Sequence, residues 1–411
     1  MHTPFRLVAA AATLLACASA ASGFVLAPTS DAAPARLPLY RPVADLLKSR
    51  TLLQQQPQTQ LELKTSPAVA AGIKALQEQA LAKRWTFSIG PTAVSARPLA
   101  SLTGELAPTP QQLAVAPQLT AQADKVLRLY NADLLKAKIP LPAPTCSSNL
   151  AEWDWRAHGK VTPVKLQSCG DCWAFASIGQ IESAMLMSGW SQTDLSEQQM
   201  RSCSGAGSCA GGRRWDALPW ATGHKVATEA SYPYAGGDDA ACNGGIPGTY
   251  RLVAAGWVDS SGDVSSVPVL KGALCVFGPI SVSMYASPAF QNYTGGVFNE
   301  QNNGNGTNHA VLLVGWDDSK QAWLVKNSWS TGWGENGYAW VHYGSNNIGR
   351  WPFWAKAPHP KLIISQSILS EIGKLKAMTA TEAPVPTAPQ PQPKLKPLLI
   401  QPRTQMQIQT R

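Results

Sequence analysis

The sequence predicts a protein of the α+β class, on three observations. The chain has 411 residues, of which 45% are hydrophobic, so it is long enough to bury a sizeable core. Helical spacing of apolar residues occurs at about residues 67–83, 119–135 and 172–189. Strand patterns follow at 310–316 and 323–327, after the helical segments. Most of the 15 Trp lie between residues 153 and 354, so the core and any site are expected there.

The net charge of +9 is unevenly distributed along the chain. Residues 147–355 contain 12 basic and 16 acidic side chains, whereas the segments before and after them are positive. A nucleic-acid footprint normally lies on a folded basic module. The mildly acidic centre therefore predicts no nucleic-acid partner.

The first 20 residues have the pattern of a secretory signal, a basic start followed by ten apolar residues at 7–16. The small residues 18–20 fit ordinary cleavage, whereas 14–17 resemble a bacterial lipobox that would leave a lipid on Cys17. No other apolar stretch is long enough to span a membrane. We expect a secreted or cell-envelope protein that is either soluble or, if the lipobox is used, anchored to a membrane only through a lipid on Cys17.

Composition divides the rest of the chain into three parts. Ser66 is expected to begin the helix at 67–83, and a short strand is expected around Phe87. Prolines at 140–144 mark a boundary between an N-terminal region at 21–145 and a main folded domain at 146–358. Residues 359–411 are predicted to be a flexible tail rich in Pro, Gln and Lys.

The cysteine count indicates a free thiol. Eight Cys occur, and loss of Cys17 with the signal leaves seven, an odd number for disulfide pairing. Cys172 is the best candidate, because it lies at the start of the helix at 172–189, where backbone N–H groups favour a thiolate. The alternative is a redox C-x-x-C motif of Cys169 and Cys172, typical of a disulfide oxidoreductase.

A nucleophilic Cys requires a base and a group that orients the base. His309 follows a Gly/Asn loop and opens the strand at 310–316, and Asn327 ends the next strand. Taken alone, His309 is more often a structural His and Asn327 a turn former.

The order Cys172, His309, Asn327, with separations of 137 and 155 residues, resembles that of the papain-like cysteine peptidases. The resemblance covers about residues 150–355. It implies that residues 146–358 are the peptidase domain and that residues 21–145 are either a propeptide or an N-terminal accessory region. Further motifs of that family occur in the same order: Trp153-Asp154-Trp155-Arg156, Cys172-Trp173-Ala174-Phe175, Cys209-Ala210-Gly211-Gly212, Ser231-Tyr232-Pro233-Tyr234, Asn308-His309-Ala310-Val311 and Lys326-Asn327-Ser328-Trp329.

The resemblance implies a two-lobed fold, with a helical left lobe, a β-barrel-like right lobe and the active site in the cleft. It further implies a thiolate–imidazolium pair of Cys172 and His309, with the ring oriented by Asn327. Gln167 would stabilise the oxyanion, and Trp329 would shield the His–Asn hydrogen bond. Asp171 stands where the family has a small residue, and if buried it is expected to raise the pKa of the Cys172 thiol.

The resemblance also implies the disulfides Cys169–Cys209 and Cys203–Cys242. Cys146 and Cys275 remain, and we expect them to pair. The substrate site would include Gly211, Gly212 and Trp329. Arg213 and Arg214 occupy positions where the family generally has apolar walls of the pocket for the second residue before the cut, so an acidic or polar substrate side chain is expected there.

The sequence thus predicts an exported, monomeric thiol endopeptidase acting on polypeptides. Acyl or peptidyl transfer by the same triad is one alternative, and a catalytically silent peptide-binding relative is another. No His-rich spacing or nucleotide-binding Gly loop predicts a metal or organic cofactor.

Overall fold

The structure is a computed structural model that describes residues 66–140, 146–236 and 240–380. The predicted signal, the lipobox around Cys17 and the end of the tail from residue 381 lie outside the described residues. In the part of the chain that is described, no helix has the length and apolar character needed to cross a bilayer.

The described residues form α-helices in the N-terminal region, between the strands and after the last strand. Their bounds are α1 Pro67–Lys83, α2 Pro110–Lys136, α3 Cys172–Met187, α4 Glu197–Cys203, α5 Arg214–Gly223, α6 Val267–Phe277, α7 Pro288–Gln291 and α8 Gln366–Ala380.

Most strands belong to one large mixed sheet, which contains both antiparallel and parallel strand pairs. The strands are β1 Thr86–Ile89, β2 Glu152–Asp154, β3 Gly207–Ser208, β4 Gly211–Gly212, β5 Ala254–Trp257, β6 Ile280–Met284, β7 Tyr293–Phe298, β8 His309–Asp317, β9 Ala322–Lys326, β10 Tyr338–His342 and β11 Arg350–Lys356. The sheet order is β1-β7-β10-β9-β8-β6-β11-β5, with β2 paired to β8, and β3 and β4 form a separate small hairpin.

Two hydrophobic clusters form the core on either side of the cleft. One lies on the sheet and contains Tyr293 of β7, Val311 of β8 and Trp323 of β9. The other surrounds α3 and contains Trp173, Ile178 and Leu218. Helices thus dominate one lobe and strands the other, so the predicted α+β, two-lobed fold is confirmed.

The N-terminal region forms secondary structure that packs on this core. Helix α1 begins where the sequence predicts it, with the Ser66 hydroxyl accepting from Val69 N at 3.4 Å. Strand β1 lies within the predicted segment and pairs antiparallel with β7. The predicted start of α2 at residue 119 is wrong, because a capping box of Thr109 and Gln112 begins the helix nine residues earlier. Pro117 lies inside α2 without ending it.

The predicted flexible tail is also wrong in its first half. Helix α8 buries Ile368, Ile372 and Leu375, which share one helical face, and it packs on α2 and α5. Glu371 accepts from Gln122 Nε2 at 2.8 Å and pairs with Lys125 at 3.1 Å. The prediction missed this short apolar stripe because it was based on the average composition of the whole tail, which is polar.

The three predicted disulfides are confirmed. Cys169 bonds to Cys209, Cys203 to Cys242, and Cys146 to Cys275. The third joins the segment before β2 to α6. Cys172 is the free cysteine among the described residues.

Candidate active site

Cys172 is the first residue of α3 and is completely buried. Its side chain packs with Ala176 of the same helix and with Ala310 of β8. Because Ala310 directly follows His309, this contact brings the thiol to the start of the strand that contains the predicted base. The redox alternative does not fit, because Cys169 is already bonded to Cys209.

His309 begins β8, Asn327 directly follows the neighbouring strand β9, and the two side chains are hydrogen-bonded to each other. The distance from His309 Nε2 to Asn327 Oδ1 is 2.8 Å. The other ring nitrogen, Nδ1, is buried without a hydrogen-bond partner. Trp329 lies against the ring, with 4.8 Å between ring centroids, and both side chains are fully buried. The amide oxygen therefore fixes the ring orientation and leaves Nδ1 available for proton transfer.

Gln167 lies on the loop before α3 and is oriented from two sides. Its Oε1 accepts from Ser328 Oγ at 2.6 Å, next to Asn327 in the chain. Its Nε2 donates to Cys169 O at 2.7 Å and to Leu102 O at 3.2 Å. The carbonyl of Leu102, in the N-terminal region, thus accepts the hydrogen bond that Gln167 is predicted to donate to the oxyanion.

Residues 102–106 pass over the Cys172 thiol and pair with both walls of the cleft. Gly104 N and Glu105 N donate to Asn308 O at 2.9 and 3.0 Å. On the other wall, Gly212 N donates to Gly104 O at 2.9 Å. A Cβ on Gly104 would lie 1.9 Å from Gly170 O, so only glycine fits at this crossing. We call residues 102–106 the covering segment.

Burial under the covering segment keeps the thiol and the imidazole neutral. It raises the pKa of Cys172 to about 12, and the carboxylates of Glu105 and Asp171 add to this rise. Backbone N–H groups of Ala310 and Gly104 oppose it. Burial also lowers the pKa of His309 to about 4, although the hydrogen bond that the ring donates to Asn327 Oδ1 acts in the opposite direction. The thiolate–imidazolium pair implied by the resemblance is therefore absent from this covered state.

Asp171 is buried in an ion pair directly beside Cys172. Its Oδ2 accepts from Arg201 Nη1 at 2.7 Å and from Tyr234 OH at 2.8 Å. Cys169, Asp171 and Cys209 are close together, but the two sulfurs form a disulfide and offer no thiolate to a metal.

The predicted substrate-binding residues lie at different depths. Gly211 and Gly212 form β4, and a Cβ on Gly212 would lie 2.4 Å from the Trp173 ring. Arg213 is partly exposed and donates to Ala107 O at 3.0 Å. Arg214 is fully buried and pairs with Glu105.

Sequence reasoning missed the residues that the N-terminal region contributes to the cleft. Leu102 and Glu105 contact Gln167 and Arg214, more than 60 residues further along the chain. The nearest signal was Glu105, one of only seven acidic residues in the first 146, but nothing in the sequence indicates which distant group it meets.

Comparisons with known proteins agree with this geometry. The sequence profile of the papain family cysteine proteases matches residues 150–351. Digestive cysteine proteinase 1 of Homarus americanus is 39% identical over 225 residues, which cover 51% of this chain and 69% of that protein. The chain belongs to the papain family of cysteine proteases.

Other papain-family relatives match over a smaller share of their length. Cysteine proteinase B of Leishmania mexicana is 40% identical over 205 residues, covering 47% of this chain and 44% of that protein. The chain thus spans about half the length of the first curated relatives it matches.

Two solved precursor structures share the papain-family fold. Procathepsin L 3 of Tenebrio molitor larval midgut matches with a TM-score of 0.52 at 25% identity, covering 76% of this chain and 98% of that one. A recombinant stem bromelain precursor matches with a TM-score of 0.53 at 22% identity, covering 77% of this chain and 94% of that one. Both matches extend beyond the 202 residues of the family profile, so they include part of the N-terminal region.

Proposed function

We propose that the protein is an exported cysteine endopeptidase that hydrolyses polypeptides through Cys172, His309 and Asn327. The single observation that supports this best is the 2.8 Å hydrogen bond from His309 Nε2 to Asn327 Oδ1, with His309 Nδ1 unpartnered in the cleft. It gives the ring one fixed nitrogen and one reactive nitrogen, which acid–base catalysis requires. A free thiol at the start of α3 supplies the nucleophile.

In the proposed mechanism, His309 Nδ1 takes the proton of Cys172 and the thiolate attacks the scissile carbonyl. Gln167 Nε2 and the backbone N–H of Cys172 stabilise the oxyanion. His309 then protonates the leaving amine, and a thioester remains on Cys172. Water, deprotonated by His309, attacks the thioester and releases the acid and the free thiol. The same thioester could pass its acyl group to an amine, which makes acyl transfer the second candidate.

We propose further that residues 21–145 are an inhibitory propeptide and residues 146–358 the peptidase domain. The covering segment supports this, because Leu102 O accepts the hydrogen bond of Gln167 and Gly104 lies over the thiol. The three disulfides and the predicted signal support export, with Cys17 as the candidate lipid attachment site. We expect the released enzyme to act as a monomer.

The test is peptide hydrolysis by the purified full chain after incubation under reducing conditions that allow processing. Wild-type protein should cleave an internally quenched peptide and release an N-terminus near Cys146. Cys172→Ala should abolish turnover, and Gln167→Ala should lower kcat about 100-fold, as loss of one oxyanion donor does. Aminolysis products exceeding hydrolysis at low amine concentration would favour acyl transfer. Full activity in Cys172→Ala would overturn the proposal.

A further inference from the structure

We infer that Arg214 makes the peptidase selective for substrates that place an acidic side chain in the subsite occupied by Glu105, which the resemblance assigns to the second residue before the scissile bond. The inference rests on the proposed function and specifies the substrate class of that site. It identifies Arg214, and not its neighbour Arg213, as the specificity-determining residue.

Arg214 lies at the base of the cleft wall with its guanidinium fixed by neutral groups on one side. Nη1 donates to Ser281 Oγ at 2.7 Å, and Nη2 donates to Ser283 Oγ at 2.8 Å and to Trp351 O at 3.2 Å. These oxygens orient the cation but leave its charge uncompensated. A fully buried guanidinium therefore requires an anion in the space that its Nε faces.

The chain's own Glu105 fills that space. Its carboxylate accepts from Arg214 Nε, and both side chains are completely buried. The side-chain fit of a Glu in this subsite is thus already realised in the structure.

The backbone around Glu105 pairs with the wall of the cleft as an extended peptide. Gly212 N donates to Gly104 O at 2.9 Å, and Leu106 N donates to Gly212 O at 3.0 Å. These bonds form a parallel bridge of Glu105 with Gly212. The residues before and after Glu105 are therefore both hydrogen-bonded to Gly212 of β4. The Glu105 side chain lies between them and enters the subsite beside Arg214.

An aliphatic side chain in this subsite would cover Arg214 without neutralising it, and a Lys would add a like charge. Glu and Asp supply the missing charge. Arg213 differs, because it is partly exposed and its Nε donates to a backbone carbonyl, Ala107 O, at 3.0 Å. It is therefore the matched control for a change at Arg214.

The experiment uses the full chain after activation, with active sites titrated by an epoxysuccinyl inhibitor. Four fluorogenic peptides differ only in the second residue before the cut, which is Glu, Gln, Leu or Lys. We expect kcat/KM per titrated site to be at least tenfold higher for Glu than for Leu and Lys, with Gln between them. Arg214→Leu should reverse the order of Glu and Leu, whereas Arg213→Leu should keep it.

A second arm needs no altered enzyme and remains decisive if Arg214→Leu fails to fold. A synthetic peptide of residues 99–109 should inhibit the wild-type enzyme at least tenfold more strongly than the same peptide with Glu105→Leu. Equal inhibition, or a titrated enzyme that cleaves the Leu peptide as fast as the Glu peptide, overturns the selectivity. Absence of titration and of hydrolysis for all four peptides instead overturns the proposed peptidase.

Discussion

At the scale of single residues, the acidic neighbour of the nucleophile is a structural group with an electrostatic side effect. Asp171 directly precedes Cys172 and is paired with Arg201 in the interior. Its charge raises the pKa of the thiol, the direction expected from the sequence. Position 171 therefore combines a stabilising ion pair with an unfavourable charge for thiolate formation.

We predict that Asp171→Asn lowers stability and also lowers the thiol pKa. Arg201 loses its carboxylate partner in the interior, which costs about 3–5 kcal/mol in the free energy of unfolding. Denaturant unfolding measures the first effect, and the pH dependence of Cys172 alkylation in the activated enzyme measures the second. A higher thiol pKa in the variant would contradict this assignment.

We also predict a pH signature of the covered state. Because burial raises the pKa of Cys172 to about 12, its thiol stays protonated throughout the neutral range, and deprotonation begins only as pH approaches that value. Iodoacetamide should therefore leave Cys172 unmodified in the unprocessed chain from mildly acid to mildly alkaline pH. After release of the covering segment, modification should proceed already at neutral pH. Peptide mass mapping distinguishes the two, and rapid neutral-pH labelling of the unprocessed chain would refute the prediction.

The candidate catalytic side chains could be identified from the sequence, whereas the segment that covers them could not. Cys172, His309 and Asn327 were identifiable because the order and spacing of one family's motifs are specific. Glu105 was not, since a single acidic residue has no local pattern that reveals a buried partner 109 residues away.

At the scale of elements, local signals predicted helices and strands well where the pattern was regular. Helix α1 and strand β1 follow from a cap, a Pro and alternating residues. The start of α2 and the existence of α8 were missed, because an internal Pro117 and a polar average composition outweighed a capping box and three spaced apolar residues. Helix α8 gains its stability from packing on α2 and α5, which no local pattern encodes.

The disulfide between the N-terminus of the domain and α6 should contribute more stability than the one inside the helical lobe. Cys146 and Cys275 are 129 residues apart, whereas Cys203 and Cys242 are 39 apart. Loop-closure entropy predicts losses of about 5 and about 4 kcal/mol when each pair is replaced by Ser. Denaturant titration of the two double variants tests this order, and the reverse order would contradict the entropic account.

At the scale of the whole molecule, the described N-terminal region and the peptidase domain form a closed arrangement. Strand β1 extends the sheet at β7, the covering segment crosses the cleft, and α2 packs on β5 and α8. The N-terminal region is thus attached to the rest of the protein both before and after the covering segment in the chain. This arrangement could not be predicted from the sequence, because no local sequence pattern shows which distant segments contact each other.

The narrow crossing at Gly104 gives a direct way to open the cleft. In Gly104→Ala, the added methyl group would meet Gly170 O at 1.9 Å, so the covering segment must move away. We expect at least a tenfold faster modification of Cys172 by iodoacetamide in the unprocessed chain. Gly72→Ala on α1 is the control, because nothing lies within 4 Å of its new methyl group, and it should label like wild type. Equal labelling of the two variants would show that the segment does not protect the thiol.

The most direct test of the account is the site and stoichiometry of labelling by an epoxysuccinyl thiol-peptidase inhibitor. The processed protein is incubated with the inhibitor, digested and mapped by peptide mass, with Cys172→Ala treated in parallel. The account predicts one inhibitor per chain, bound to Cys172, together with loss of peptide hydrolysis, and no adduct in the variant. An adduct on another residue, or hydrolysis that continues after Cys172 is fully labelled, would contradict the assignment of Cys172 as the nucleophile.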